Sequence, residues 1–318
     1  MNFVGKRGWF YLFSLAVILP GVVFLIITPG LNPGIDFTGG STLTIEFHND
    51  VSQTNLRNQL AAAGHPDATV QKLEDRVFFI RTKELAEDNP ETEAVEVDSK
   101  RWLLNALEAN LAPDGLTELS YDLVSPVVAS ETVVNALYAV LAAAVGIFIY
   151  IWWAFRNVPS PFRYGAAAIV ALVHDTIIVI GIFSILGAVL DMEVGTMFLI
   201  AILTVIGYSV NDTIVVFDRI RENVGNHPNR ELSEVVNLSI SETIGRSLNT
   251  SITLLITLLA LFLFGGTTIR EFLLVLLIGV VAGTYSSIAI ASQTLISWEY
   301  GDIGRVFRRG RQAQGAIA

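Results

Sequence analysis

The chain has no cysteine and three methionines in 318 residues. Without thiols it forms no disulfide, an absence that leaves its compartment open. Charge is scarce as well: 16% of residues are Asp, Glu, Lys or Arg, against about a quarter in ordinary soluble domains. Nor is there an excess of basic residues. Lys and Arg number 20 against 30 acids, a net charge of −10, so nucleic acid is not a partner this composition supports. What fills the space is hydrocarbon. Hydrophobic residues make up 52%, with a mean hydropathy of +0.56.

That hydrocarbon is gathered into six stretches, at roughly 9–28, 132–154, 164–190, 195–217, 248–265 and 271–293. Each approaches or exceeds the ~20 residues needed to cross a bilayer. The expected fold class is therefore a polytopic α-helical membrane protein with six transmembrane helices in a lipid bilayer. The first stretch is longer than a typical signal-peptide core, and PGLNPGIDF after it offers no small-residue cleavage site, so it reads as an uncleaved helix. Lys6, Arg7, Arg156, Arg163, Arg219, Arg221, Arg230 and the basic residues after 304 all fall on one side of such a topology. By the positive-inside rule both termini are expected in the cytoplasm.

The stretch of about residues 30–130 is then extracytoplasmic. Between Asp36 and Asp122 it holds 17 acids and 7 bases, and the rest of the chain holds 13 of each. The entire charge imbalance sits there. Ser41–His48 alternates as a strand, Ser52 caps a helix over 53–63, and short strands follow near 68–73 and 76–81 around a Glu74-Asp75 turn. An acidic insert over 84–98 precedes a second helix over 99–110 and a last strand over 116–124. The order βαββαβ predicts a small ferredoxin-like α+β domain. Its histidines, His48 and His65, lie in no nucleophile or metal-ligand spacing and read as surface residues. No cofactor and no enzymatic activity are expected. The remaining divisions are 1–29 for the first helix, 131–297 for the other five and 298–318 for a basic tail. A cytoplasmic amphipathic connector is expected near 223–245, either at the membrane surface or packed on the bundle.

Two charges stand out inside the apolar runs. Asp212 lies in TVIGYSVNDTIVV near the inner end of the fourth span, and Arg246 lies near the inner end of the fifth. A carboxylate at the centre of a membrane helix costs on the order of 2.5–3.5 kcal/mol on insertion scales. Topology puts the two at similar depth, which is compatible with a structural ion pair, with snorkelling to the interface, or with a protonatable carboxylate on an ion pathway. Asn211 and Thr213 flank the acid and add polar groups for such a pathway. His174-Asp175 in the third span is a second candidate, either a relay or a satisfied buried pair. Gly279, Gly283 and Ser287 recur every four residues in the sixth span and predict a helix-packing stripe.

At these residues the chain resembles the SecD/SecF family of protein-export membrane subunits, within the resistance-nodulation-division superfamily. The resemblance rests on GYSVNDTIVVFDRIREN over 207–223, SISETIGRSLNTSIT over 239–253, GTYSSIAIA over 283–291, and GIDFTGG over 34–40 with Asp36, Phe37, Gly39 and Gly40. The chain departs from the family pattern at Ser125, where Gly is usual, and at Glu242 and Gly245, where Gln and Ser are usual. The resemblance implies a prokaryotic plasma-membrane subunit that pairs with SecD and assists the SecYEG translocon, beside a YidC-type insertase. It would use the proton-motive force to move a secretory polypeptide outward. By position, Asp212 and Arg246 would belong to the proton site. A self-contained proton-coupled exporter of the same superfamily and a non-transporting translocon scaffold are the competing expectations.

Overall fold

Backbone N–H and C=O groups in hydrocarbon must be paired within the protein, and a helix pairs them inside its own segment. The computed structural model describes residues 2–27, 30–86, 97–266 and 269–301. After a 3₁₀ turn at Val4–Lys6, the elements in order are α1 (Arg7–Ile27), α2 (Ile35–Thr38), β1 (Gly40–Phe47), α3 (Gln53–Ala62), β2 (Thr69–Lys72), β3 (Val77–Thr82), α4 (Lys100–Leu111) and β4 (Leu116–Val124). Then come α5 (Pro126–Ala154), α6 (Pro161–Leu190), α7 (Thr196–Asn226), α8 (Leu232–Phe264), α9 (Arg270–Ser286), a π-helical turn at Ser287–Ala291, and α10 (Ser292–Glu299). Six of the resulting helices are long and apolar enough to cross a membrane, the last running from Arg270 to Glu299. Two units make up the chain, Met1–Asn32 with Tyr138–Ala318, and Pro33–Leu137.

In the helical unit the helices outrun their apolar stretches, because polar flanks that pair with themselves continue a helix. At the end of α7, Arg219 pairs with Glu222 at 2.6 Å and Asp218 with Arg221, both at i,i+3 spacing. Pro228 then stops the helix, since the residue before a proline is pushed out of the helical region. The stretch at 223–245 is accordingly the end of α7, a short turn, and the first turns of α8. The face carrying Val235, Val236, Ser239 and Ile240 is buried on the bundle. The basic tail beyond 301 lies outside the described residues, as does most of the acidic insert. α1 and α6 cross where two glycines meet. A Cβ on Gly21 would lie 2.6 Å from the Gly181 Cα, so the backbones approach as small-residue contacts allow.

In the α+β unit the sheet order is β2-β3-β1-β4 with every pair antiparallel, as the ferredoxin-like βαββαβ expectation requires. Leu43, Ile45 and Phe47 alternate along β1 and pack with Phe78 and Ile80 against Leu56, Leu60, Leu103 and Leu107 of the two helices. Ser52 and Ser99 cap α3 and α4, each accepting from a backbone N–H at 3.2 Å. The element bounds differ from the predicted ones by one or two residues. The GIDFTGG segment was not predicted as an element; it forms the single turn α2 and then two glycines at positive φ, 74° at Gly39 and 122° at Gly40. A Cβ on Gly40 would lie 2.5 Å from the Thr82 carbonyl oxygen. Gly39 and Gly40 are thus explained by backbone conformation, and Gly40 also by its contact with β3.

His65 corrects the surface reading. Its side chain is fully buried, with Nδ1 2.7 Å from the Thr82 hydroxyl and Nε2 3.0 Å from Asp98, which also pairs with Lys83 at 2.8 Å. Burial pushes the His65 imidazole below its ordinary value and outweighs the upward pull of Asp98, while Lys83 acts in the same direction as burial. In the unfolded chain the ring takes a proton near pH 6.5; in the folded unit it does so only at lower pH. Stability contributed by the neutral ring is therefore complete above about pH 6.5 and falls as the pH drops toward the lowered folded value. The protection of β2 and β3 amides in the full-length protein, taken relative to the intrinsic exchange rate at each pH, is expected to fall on acidification through that window, and less steeply in His65→Gln. Protection that stays constant with pH in the parent, or falls equally in both proteins, would contradict this. A Gly40→Ala substitution, strained at φ 122° and blocked by Thr82, is expected to cost about 1–3 kcal/mol, read as a lower melting temperature.

Candidate functional site

The site is built where α9 lies against α7. On α7, Val205, Ser209 and Asp212 share a face at helical spacing; on α9 and its π-turn, Gly279, Gly283 and Ser287 face them in turn. A Cβ on Gly279 would lie 2.2 Å from Val205 Cγ2, and one on Gly283 would lie 2.9 Å from Ser209 Cβ. At the third step a hydroxyl replaces the glycine: Ser287 Oγ donates to Asp212 Oδ2 at 2.8 Å. Two glycines bring the backbones close enough for a short side chain to reach the acid. Ser287 is therefore more than part of a packing stripe.

The backbone at this point is π-helical. Such turns insert one residue into a helix and are frequent at functional sites. Side chains occupy the widened turn, as Ser292 Oγ donates to the Ser287 carbonyl at 3.0 Å and Gln293 Nε2 to the Ile288 carbonyl at 3.2 Å. All of Ser286–Ser297 is buried.

Asp212 is half-buried and Arg246 is exposed on the neighbouring α8. Among the described residues Ser287 is the only hydroxyl that donates to the acid, and no ion pair joins Asp212 to Arg246. The guanidinium borders a cavity of about 310 Å³ between α7 and α8, with Asp218, Arg219, Glu222 and Thr243 around it. The acids nearby are taken: Glu222 and Glu242 by Arg219, Asp218 by Arg221. Glu242, one of the departures from the family pattern, also accepts from Asn223 Nδ2 at 2.8 Å, so its extra charge is neutralised without involving Arg246. Asn211 is exposed beside Asp212 and Thr213 is buried on the opposite flank. Tyr208 reaches Ser251 of α8 at 3.0 Å, and Ser251 meets Thr284 at 2.5 Å.

His174 and Asp175 of α6 sit in a second polar cluster. Asp175 Oδ2 accepts from Ser209 at 2.5 Å and from Ser286 at 2.6 Å, while Oδ1 lies 2.9 Å from His174 Nδ1. His174 Nε2 contacts Ser14 Oγ of α1 at 3.0 Å; Ser14 donates to Tyr285 at 3.1 Å, and Tyr285 donates to the Phe10 carbonyl at 2.8 Å. Consecutive serines, Ser286 and Ser287, thus reach acids of different helices, the buried Asp175 of α6 and the half-buried Asp212 of α7. Ser14, Tyr285 and Ser286 escaped the sequence reading. The one signal for the last two is the run of Thr284-Tyr285-Ser286-Ser287 in an otherwise apolar span.

Known proteins resemble this chain over nearly its whole length. A family model described as protein export membrane protein SecD/SecF, C-terminal, matches residues 105–300, and one described as the SecD/SecF GG motif matches residues 24–51. The protein translocase subunit SecF of Thermobaculum terrenum is 44% identical over 319 residues, covering 97% of each chain. The protein translocase subunit SecDF of Bacillus subtilis is 33% identical over 94% of this chain but only 38% of its own length. The crystal structure of SecDF, a translocon-associated membrane protein from Thermus, superposes with a TM-score of 0.79 at 33% identity, over 94% of this chain and 39% of that one.

The α7–α9 contact sets an expectation for its glycines. Replacing Gly279 with Val forces bulk into Val205, an overpacking that costs typically about 1–3 kcal/mol. The detergent-solubilised variant should melt several degrees lower, whereas Gly207→Ala, at a position with open space around its Cβ, should not. Equal melting of Gly279→Val and the parent would contradict the close packing.

Proposed function

The chain belongs to the SecD/SecF family of protein-export membrane proteins, as a SecF, and on that premise we propose that it couples the proton-motive force to polypeptide export beside a SecD partner. As a translocase subunit it is not an enzyme. Its six long apolar helices make it a multi-pass membrane protein, and the Lys/Arg distribution supports a prokaryotic plasma membrane with both termini in the cytoplasm and the α+β unit outside.

The observation that carries the reading is the incompleteness of the Asp212–Arg246 region. An acid with one hydroxyl donor and an arginine with no ion pair among the described residues lie on adjacent helices. Neither arrangement is at rest in hydrocarbon, where an ionised side chain needs partners or water. A second chain supplies the missing groups and closes a hydrated site around both charges. The SecDF relatives support SecD as that chain, because this sequence matches little more than a third of each of them.

Protonation of Asp212 removes its attraction for Arg246, and deprotonation restores it. One charge carried across 100 mV of membrane potential is worth about 2.3 kcal/mol. That is enough to shift a helix-packing equilibrium by more than tenfold. Because Ser287 ties Asp212 to the last span, a change at the acid is passed to α9. The working partners in this reading are SecD, the SecYEG channel, a YidC-type insertase nearby, and the secretory polypeptide as cargo.

In vesicles holding SecYEG and SecD, Asp212→Asn is expected to lower gradient-stimulated export to the level seen without the subunit, with assembly intact. Simultaneous replacement of Asp212 and Arg246 by apolar residues should give the same loss. Full stimulation in both variants would contradict the proton reading and leave a scaffold; full solute transport without any SecD would point to a self-contained exporter.

A further inference from the structure

The hydrogen bonds around His174 can be counted, and the count determines how many protons the cluster holds. A carbonyl oxygen only accepts, so the Tyr285–Phe10 contact uses the single Tyr285 hydroxyl proton. The Ser14–Tyr285 contact must then use the single Ser14 proton. Ser14 has nothing left to donate to His174, so His174 Nε2 carries a hydrogen and donates to Ser14. On the other side of the ring, Nδ1 faces Asp175 Oδ1 at 2.9 Å, and that contact also needs a proton, on nitrogen or on oxygen. The second carboxyl oxygen accepts from Ser209 at 2.5 Å and from Ser286 at 2.6 Å; the Ser286 hydroxyl also lies 3.3 Å from the Gly283 carbonyl, and its proton is assigned to the much shorter contact with the acid. The His174–Asp175 pair in this arrangement holds two protons and no net charge.

We propose that the His174–Asp175 pair is a second proton-binding site, and that loss of one proton from it reverses the hydrogen-bond chain through Ser14 and Tyr285, breaking one of the two bonds by which Tyr285 of α9 holds α1. With one proton gone, Nδ1–H faces the carboxylate and Nε2 is a bare acceptor. Ser14 turns to donate to it, and Tyr285 turns to donate to Ser14. The Phe10 carbonyl then loses its Tyr285 donor. The exchanged species is one proton, given up to water; no other bond is made or broken. The two-proton state has three hydrogen bonds from His174 to Phe10, and the one-proton state has two.

The pair is well placed for such a role. It sits on α6 where α1, α7 and the last span converge, and both of its residues are buried. Few titratable groups face it among the described residues. α9 presents Tyr285, whose ring stacks at 6.0 Å from the imidazole. α7 presents Asp212, linked through the adjacent Ser286 and Ser287. α1 presents the Ser14 hydroxyl, its Tyr11 meeting Ser297 instead. The acid of α10, Glu299, is paired with Arg163 at the start of α6, and the π-turn presents no ionisable side chain. The proposal deepens the export reading in one respect only: it takes the proton as the ion that moves.

The test is nitrogen-15 magnetic resonance of the histidines in the reconstituted complex with SecD, with His174 assigned by its loss in His174→Gln. Spectra taken over the range in which the complex stays folded read which ring nitrogen carries hydrogen, and Nε2–H is expected to give way to Nδ1–H alone as the pH is raised. Tyr285→Phe and Ser14→Ala, which keep the packing, should each displace that change along the pH axis by roughly 0.5–1 unit. Nε2 that never changes its protonation over this range, or a change that neither variant displaces, would overturn the proposal. The spectrum is read without export or proton flux. If Asp212→Asn retains full stimulation, the export reading fails while this measurement still decides the His174 site.

Discussion

Everything in the helical unit depends on how closely α9 lies against α7. A serine hydroxyl reaches only a short way from its backbone, so Ser287 can serve Asp212 of α7 because Gly279 and Gly283 leave no side chain between the helices, and the same approach sets Ser286 beside Ser209, both donating to Asp175 of α6. In a bilayer no hydrophobic force drives helices together, and association relies on close packing and internal hydrogen bonds. The contact supplies both. The π-turn at its end allows consecutive residues to face acids on different helices.

The polar groups of the bundle fall into two kinds. The His174–Asp175 cluster is closed: its hydroxyls and ring nitrogens find partners within this chain, on four helices. The Asp212–Arg246 region is open, with the arginine exposed and the acid held by one donor. A closed cluster can store or release a proton without another subunit, whereas an open one waits for a partner chain. The arrangement suits a subunit whose coupling site is shared and whose response is carried inward by its own hydrogen bonds.

Much of this was legible in the sequence because it follows local rules. Uncharged runs announced the six spans, and the alternation of Ser41–His48 with the Ser52 cap announced the α+β unit. Asp212 and Arg246 were visible as charges in the wrong solvent. What was not legible joins residues far apart along the chain. Ser14 meets His174 across 160 positions and Ser286 meets Asp175 across 111, and a lone hydroxyl in an apolar helix has no periodic signature. His65 looked like a surface residue because a single polar residue after a glycine gives no sign of burial; only the fold of β3 and the return of Asp98 enclose it. Helix ends were also underestimated, since the i,i+3 pairs that extend α7 fall outside the apolar pattern.

The central claim is that Asp212 is a protonatable carboxyl in a site completed by SecD. Carbodiimide labelling of Asp212 tests it most directly, since the reagent attacks the protonated acid. In sealed vesicles carrying the chain with SecD, labelling at Asp212 is predicted to rise when a proton gradient is imposed and to fall when the gradient is collapsed. Labelling that is the same with and without the gradient, and with and without SecD, would contradict the account.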